Sequence, residues 1–142
     1  MRLNWIWLLA FGLTANATAA GHLVIEHAWI RIAPPGAMML GGYAKLRNDG
    51  DVAITITGGD SPDFADVSLH QSIEEDGVEK MRPLGNFEIA PSASVEFAPG
   101  GRHFMLMRPK RELSAGDKVK IHISTNSADG VLAEFVVRED AP

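Results

Sequence analysis

The chain has 142 residues, no cysteine and a formal net charge of −5. An acidic chain without a cluster of lysine or arginine is a poor binder of phosphate backbones, so no nucleic-acid partner is expected. The absence of cysteine excludes thiolate zinc sites, thiol redox catalysis and the thiolate ligand of blue-copper centres. Any soft metal would therefore have to be held by methionine and histidine.

The first predicted element is a secretory signal peptide. A positive start, Met1-Arg2, is followed by the apolar run Trp5 to Leu13 and by the small residues of Thr14 to Ala20. This order is typical of a cleaved signal, and the run is far shorter than the roughly 20 residues that span a bilayer. A signal over residues 1–19, or ending one residue later, is thus favoured over an uncleaved membrane anchor. Residues 20–142 would form one exported, periplasmic domain without stable membrane insertion.

The rest of the chain consists of short strand-like segments separated by turn signals, without a sustained helical period. Asn48-Asp49-Gly50 predicts a hairpin turn, and Glu74-Glu75-Asp76-Gly77 predicts a second turn. Strands at this spacing predict an all-β, antiparallel sandwich or barrel. The predicted strands are Val24–Ile32, Gly42–Arg47, Val52–Thr57, Phe64–Gln71, Val78–Arg82, Ser92–Phe97, His103–Arg108, Asp117–Thr125 and Val131–Val137.

Four side chains form a candidate metal site. Because alternate residues of a strand share a face, His103 and Met105 should point together, away from a core face that holds Phe104. A hairpin after the Val67–Gln71 segment would bring His70 near Met81 on the neighbouring strand. Two imidazoles and two thioethers suit Cu(I), whereas Mg²⁺, Ca²⁺ and Mn²⁺ prefer oxygen. On chemistry alone, unrelated core methionines and surface histidines stay an open alternative.

The spacing of these residues, H-x10-M-x21-H-x-M, resembles that of the periplasmic copper chaperones of the PCuAC family. The similarity extends over about residues 24 to 137, and its most specific segment is Pro99 to Met107 (PGGRHFMLM). The resemblance implies a cupredoxin-like β-sandwich that is not an enzyme. It also implies Cu(I) bound by His70, Met81, His103 and Met105. At the position after the first histidine, where relatives often have methionine, this chain has Gln71.

The same resemblance implies a partner that accepts copper. The family delivers Cu(I) towards the dinuclear copper centre of a respiratory oxidase, often alongside a thiol-bearing chaperone. Neutral thioethers and imidazoles bind Cu(I) less tightly than thiolates do, so transfer to a cysteine-bearing acceptor would be downhill. Methionine also avoids disulfide formation in an oxidising compartment.

Other histidines and methionines have more ordinary interpretations. Met107 shares the face of Met105 and is expected to pack beside the site, while Met38 and Met39 are expected to be core filler from a loop. His122 alternates with apolar residues and should face solvent without a role. His22 would become the third residue after cleavage before Ala20, and its imidazole could then form a square-planar Cu(II) site with the amino terminus. Trp29 is expected to be a core anchor.

Three other functions are alternatives to a copper carrier for this sequence. A β-sandwich can be a binding module for a protein or glycan, so the fold alone does not decide. Ser68 and His70 share a strand face, as a hydrolase would require, but the chain has no Gly-x-Ser-x-Gly signature. A copper oxidase would want ligands that also stabilise Cu(II), which two thioethers do not.

Overall fold

The computed structural model describes residues 21–142, so the predicted signal peptide and Ala20 lie outside the described residues. Within that range the chain is all β, and no helix there is long and apolar enough to cross a membrane. The strands are β1 Leu23–Arg31, β2 Met39–Asn48, β3 Ile54–Asp60, β4 Phe64–Glu75, β5 Val78–Pro83, β6 Phe87–Ile89, β7 Ser94–Phe97, β8 Arg102–Pro109, β9 Lys118–Thr125 and β10 Val131–Arg138.

The strands form one curved sheet in the order β5-β4-β8-β2-β1-β10-β9-β3-β6. β7 pairs with the second half of β2, beyond the half that pairs with β8. A pairing of Gly59 in β3 with Val67 in β4 joins the two sides of the sheet. The result is a flattened barrel, or sandwich, as the sequence predicted. One pairing departs from the antiparallel expectation, because β1 and β10 run parallel.

Alternate residues of most strands point into a central core. In β8 the inward side chains are Phe104 and Leu106, both fully buried, and in β4 they are Val67 and Leu69. Phe104 packs against Phe97 and Phe135, with ring centroids 4.9 and 5.7 Å apart. Aromatic and branched side chains on a pleated surface favour strands because they pack well there, and this core fixes which residues face outward.

The hairpin predicted at Asn48-Asp49-Gly50 is wrong. β2 pairs with β1, β7 and β8, whereas β3 pairs with β4, β6 and β9, so the chain crosses between the two sides of the sandwich here. Asn48 is fully buried, and its amide donates to the carbonyls of Val52, Ile89 and Ala90. Its side-chain oxygen accepts from Gly50 N–H. The Asn48 side chain therefore stabilises the segment that crosses between the two sides, because it hydrogen-bonds buried backbone groups there. It does not close a hairpin.

The second predicted turn is confirmed as a hairpin. β4 and β5 are paired from His70–Pro83 to Glu75–Val78, which leaves a two-residue loop of Asp76 and Gly77. Both loop residues have positive φ, 53° and 76°, as a type I′ turn requires. The short strand β6 was not predicted, because three residues after Leu84-Gly85-Asn86 are too few to show alternation.

Candidate metal centre

The predicted site residues lie on the face of the sheet that is turned away from the central core. Residues that are paired across antiparallel strands project from the same face. His70 is paired with His103, Ser68 with Met105, and Ser72 with Met81. Register therefore places all four predicted ligands on one face of three adjacent strands, β5, β4 and β8.

The two histidines form the closest pair of this set. His70 and His103 are direct neighbours across β4 and β8, with ring centroids 6.1 Å apart and ring planes inclined by 19°. His103 is 4% exposed, whereas His70 is partly exposed. The two imidazoles are thus adjacent, one at the bottom of the site and one nearer its surface.

The hydrogen bonds of His103 fix how it presents its ring. Nδ1 lies 3.1 Å from the carbonyl oxygen of Gly101, so Nδ1–H donates to that oxygen. In the neutral ring Nε2 then carries a lone pair, and it is buried without a hydrogen-bond partner among the described residues. A buried acceptor without a partner is costly, and a metal-ligating histidine typically donates a hydrogen bond from its other ring nitrogen to a backbone carbonyl or carboxylate.

The electrostatics of His70 also favour the neutral, ligating form. Burial lowers the pKa of His70, and the adjacent His103 lowers it further, while Asp66 opposes the shift. Its Nδ1 lies 3.4 Å from the Ser68 hydroxyl. At neutral pH the side chain is therefore an uncharged imidazole with a lone pair available.

Met105 lies in a second apolar layer outside the central core. It is 6% exposed and pairs with Gly41 of β2. A Cβ at Gly41 would lie 2.5 Å from the Tyr43 hydroxyl, so that side chain covers the glycine beside Met105. Tyr43 packs on Trp29 with centroids 4.8 Å apart. Trp29 is buried as predicted, but it anchors this outer layer and not the central core.

Met81 lies at the open side of the site. It is 53% exposed, and every residue of β5 is exposed. Because His70 is paired with Pro83, Met81 lies two residues along β5 from the position opposite the histidine. Diagonal neighbours of this kind are still within reach of a long side chain. The structure thus brings together His70, His103 and Met105, with Met81 on an exposed arm at their edge.

Sequence reasoning missed the supporting residues. Burial raises the pKa of Tyr43, the charge of Arg31 opposes that shift, and the Glu79 carboxylate of β5 adds to it. β4 and β8 lie between β5 and β2, so a flat sheet with strands about 4.8 Å apart would keep Glu79 far from Tyr43. Because the Glu79 charge nevertheless acts on Tyr43, we infer that the β4–β5 hairpin curls over this face. A local signal for this outer layer existed in β2, where Met39, Gly41 and Tyr43 alternate with core residues. The position of the layer beside Met105, however, depends on long-range strand pairing.

The remaining candidates fall into two groups. Met107 shares the site's face, as predicted, and pairs with Met39. The prediction that Met38 and Met39 fill the core is wrong, because they are 61% and 50% exposed. β2 begins at Met39 and turns its next residue, Leu40, into the core instead.

The two outer histidines lie away from the site. His122 faces outward as predicted, but it is not idle: its ring nitrogens contact the Asp60 carboxylate and the Asp129 carbonyl, both at 3.0 Å. His22 is exposed, and its Nδ1 contacts the Asp49 carboxylate.

The donor set of the site narrows its chemistry. Within residues 21–142, no three histidine, aspartate or glutamate side chains are grouped as a metal site. Two histidines alone are a weak set for zinc or for a hard cation, which needs several oxygen ligands. The other donors beside these histidines are thioethers, so the arrangement fits a soft, monovalent metal best.

Comparison with known proteins adds a family. The model of the LpqE-like lipoprotein family matches residues 23–137. "Putative lipoprotein Lxx21020" of Leifsonia xyli subsp. xyli is 30% identical over 117 residues, which are 79% of this chain and 69% of that protein. "Uncharacterized protein RP573" of Rickettsia prowazekii is 31% identical over 101 residues, and the match covers 56% of its length.

Solved structures share the fold. The apo PCuAC domain from PmoF1 is 22% identical with a TM-score of 0.68, covering 87% of this chain and all of that domain. The copper-bound PCuAC domain from PmoF2 is 23% identical, with a TM-score of 0.67 and 87% and 99% coverage. Cu(I)-DR1885 of Deinococcus radiodurans is 25% identical, with a TM-score of 0.64 and 89% and 84% coverage. The cupredoxin-like sandwich and the resemblance to PCuAC domains predicted from sequence are confirmed.

Proposed function

The chain belongs to the LpqE-like family, and from this premise and its PCuAC-domain fold we propose that it is an exported copper chaperone. It binds one Cu(I) through His70, Met81, His103 and Met105 and passes the ion to a partner. The ion is cargo, and the protein catalyses no reaction. A periplasmic location follows from the predicted signal peptide.

The observation that carries this proposal is the buried, partnerless Nε2 of His103, held in place by the bond from Nδ1 to Gly101. Buried acceptors in folded proteins nearly always have a hydrogen-bond partner, so one without a partner calls for another group, such as a metal ion, that binds its lone pair. His70 lies directly opposite, and Met105 is two residues along the same face. These donors are the ones that Cu(I) prefers.

Release fits the same ligand set. Neutral imidazoles and thioethers hold Cu(I) without the strength of thiolate, so a partner that offers cysteine can remove it. The expected acceptor is a thiol-bearing copper chaperone or an oxidase subunit, on the way to a dinuclear copper centre. Met81, half exposed on β5, is the ligand that such a partner would meet first.

The rival functions receive less support. For a hydrolase, Ser68 would need a base, but its contact with His70 is 3.4 Å long and uses Nδ1, the nitrogen that an orienting carboxylate occupies in a triad. A copper oxidase would have to stabilise Cu(II), which two thioethers oppose. A binding module without metal would leave the buried His103 nitrogen unexplained.

The test is an anaerobic Cu(I) titration of the purified protein against a chromophoric competitor. X-ray absorption at the endpoint counts the neighbours of the ion. We expect one tightly held ion with both nitrogen and sulfur in its shell. A shell of nitrogen and oxygen alone, or an affinity unchanged by replacing His103, would contradict the proposal.

A further inference from the structure

Beyond the four proposed ligands, the thioethers of Met39 and Met107 form a second pair on the same face of the sheet. Met39 is the cross-strand partner of Met107, which is also paired with Asp66 on its other side. Side chains of directly paired residues have Cβ atoms about 4.5–5.5 Å apart, so the two sulfurs can reach a common ion.

This pair is poorly explained as packing. Met39 is 50% exposed and Met107 is partly exposed, so neither fills the core. The inward residues at this position are Leu40 and Leu106. Exposed strand positions usually carry polar or β-branched side chains, whereas the chain has two adjacent thioethers here. The exposed carboxylate of Asp66 beside them supplies the negative charge that a monovalent cation would favour.

The pair also continues the proposed site. Alternate residues of a strand are about 6.8 Å apart, so Met107 lies one step along β8 from Met105. Exposure rises along this line, from 6% at Met105 through a partly exposed Met107 to 50% at Met39. A protein partner that cannot touch the buried His103 and Met105 can reach the far end of the line.

We propose that Met39 and Met107 form an outer, weaker Cu(I) site through which the ion is exchanged with the inner one. When the ion moves outward, its bonds to the imidazoles of His70 and His103 and to the sulfurs of Met81 and Met105 are replaced by bonds to the sulfurs of Met107 and Met39, and inward transfer is the reverse. Copper stays monovalent, and no proton or electron moves. The exchange role rests on the proposed function, whereas the outer site itself does not.

Binding is tested by anaerobic Cu(I) titration of protein labelled with ¹³C in its methionine methyl groups, each assigned by a Met→Leu variant. After the inner site fills, the signals of Met39 and Met107 should shift together. Met38, which is at least as exposed but unpaired with either, should not move. Static Met39 and Met107 signals, or an equal shift at Met38, would overturn the outer site.

The failure of the inner site is read separately. In the variant Met81→Leu/Met105→Leu, Met39 and Met107 should still shift on adding Cu(I), now with the first ions added. Absence of the Met81 and Met105 shifts in the wild type would count against the proposed function alone. Absence of the outer shifts in both proteins would count against the second site alone.

The exchange role is tested by kinetics. In Met39→Leu/Met107→Leu, which nearly conserves volume, the rate at which a chelator removes the inner Cu(I) should fall about fivefold while the equilibrium affinity of the inner site stays the same. Met38→Leu is the matched control and should leave both quantities unchanged. An unaltered removal rate in the double variant would overturn the relay.

Discussion

The imidazole rings of His70 and His103 face each other across β4 and β8 with centroids 6.1 Å apart, and only the His70 ring is partly exposed to solvent. The buried partner is oriented by a backbone carbonyl. In the proposed site this asymmetry would separate two tasks, since the buried imidazole would form the floor of the site and the more exposed one would close it.

Replacing His103 with Phe should separate stability from binding. The substitution removes the partnerless Nε2, and the Gly101 carbonyl keeps its bond from Ser72 N–H, at 3.0 Å. The free energy of unfolding of the metal-free protein should therefore stay the same or rise by about 1 kcal/mol, while Cu(I) affinity falls about a hundredfold. Urea unfolding and competitive titration measure the two effects. A clear loss of stability would show that the imidazole is needed for packing.

Changing Met81 and Met105 together to Leu should abolish competitive Cu(I) binding and leave the fold nearly intact, because Leu for Met is nearly volume-conserving. Circular dichroism provides the control for folding. Of the single variants, Met81→Leu should cost the fold least, since its side chain is 53% exposed. An unchanged affinity in the double variant would remove both thioethers from the site.

Gly41→Ala should weaken the proposed site although Gly41 is not one of its ligands. The new Cβ would lie 2.5 Å from the Tyr43 hydroxyl and 2.9 Å from the ring carbon that carries it. Tyr43 is held by Trp29 and cannot withdraw freely, so we expect a loss of about 1–3 kcal/mol in unfolding free energy and weaker Cu(I) binding beside Met105. In a Tyr43→Phe background the cost should be smaller, because the closest atom is gone. An equal cost in both backgrounds would point to backbone strain instead.

His122 should make stability depend on pH. Its pKa is raised by the bond to the Asp129 carbonyl and then by Asp60, because only the protonated ring can donate to both. The stabilisation is fully present below the unfolded-state value of about 6.5 and is lost as pH rises through the folded-state pKa. Urea unfolding should therefore show that His122→Ala costs more at pH 6 than at pH 8.5. Cu(I) affinity should not change. A loss of unfolding free energy that does not depend on pH would contradict the assignment of two hydrogen bonds to the protonated ring.

The amino terminus offers a second proposal, a Cu(II) site centred on His22. If cleavage exposes Ala20, the free amine, two amides and the imidazole can form a square-planar set. Binding would have to break the contact of Nδ1 with Asp49 and release amide protons, so affinity should climb with pH. Mass spectrometry locates the first residue, and a chain starting at Gly21 excludes the site. Otherwise, His22→Ala should lose the visible band of nitrogen-bound Cu(II).

The sequence predicted which side chains of a strand face outward better than it predicted which strands pair with each other. Alternation is a local property, so the outward direction of His70, His103 and Met105 follows from the apolar residues between them. The pairing of β8 with β2, which places Met105 beside Gly41 and the Tyr43 side chain that covers this glycine, is a long-range contact that no local pattern encodes. For the same reason the turn at Asn48 was mistaken for a hairpin: its residues fit a turn, but the strands beside it have other partners.

The all-exposed strand β5 has a mechanical consequence. Among residues 21–142 it is hydrogen-bonded to the rest of the sheet only through β4, at the end of the strand order. If Met81 is a ligand, its bond to the ion can break when this two-stranded ribbon bends, with the sandwich behind it unmoved. The residence time of the ion would then depend on the stiffness of that ribbon as well as on the outer methionine pair, and substitutions in the Asp76-Gly77 loop would change it without altering any donor atom.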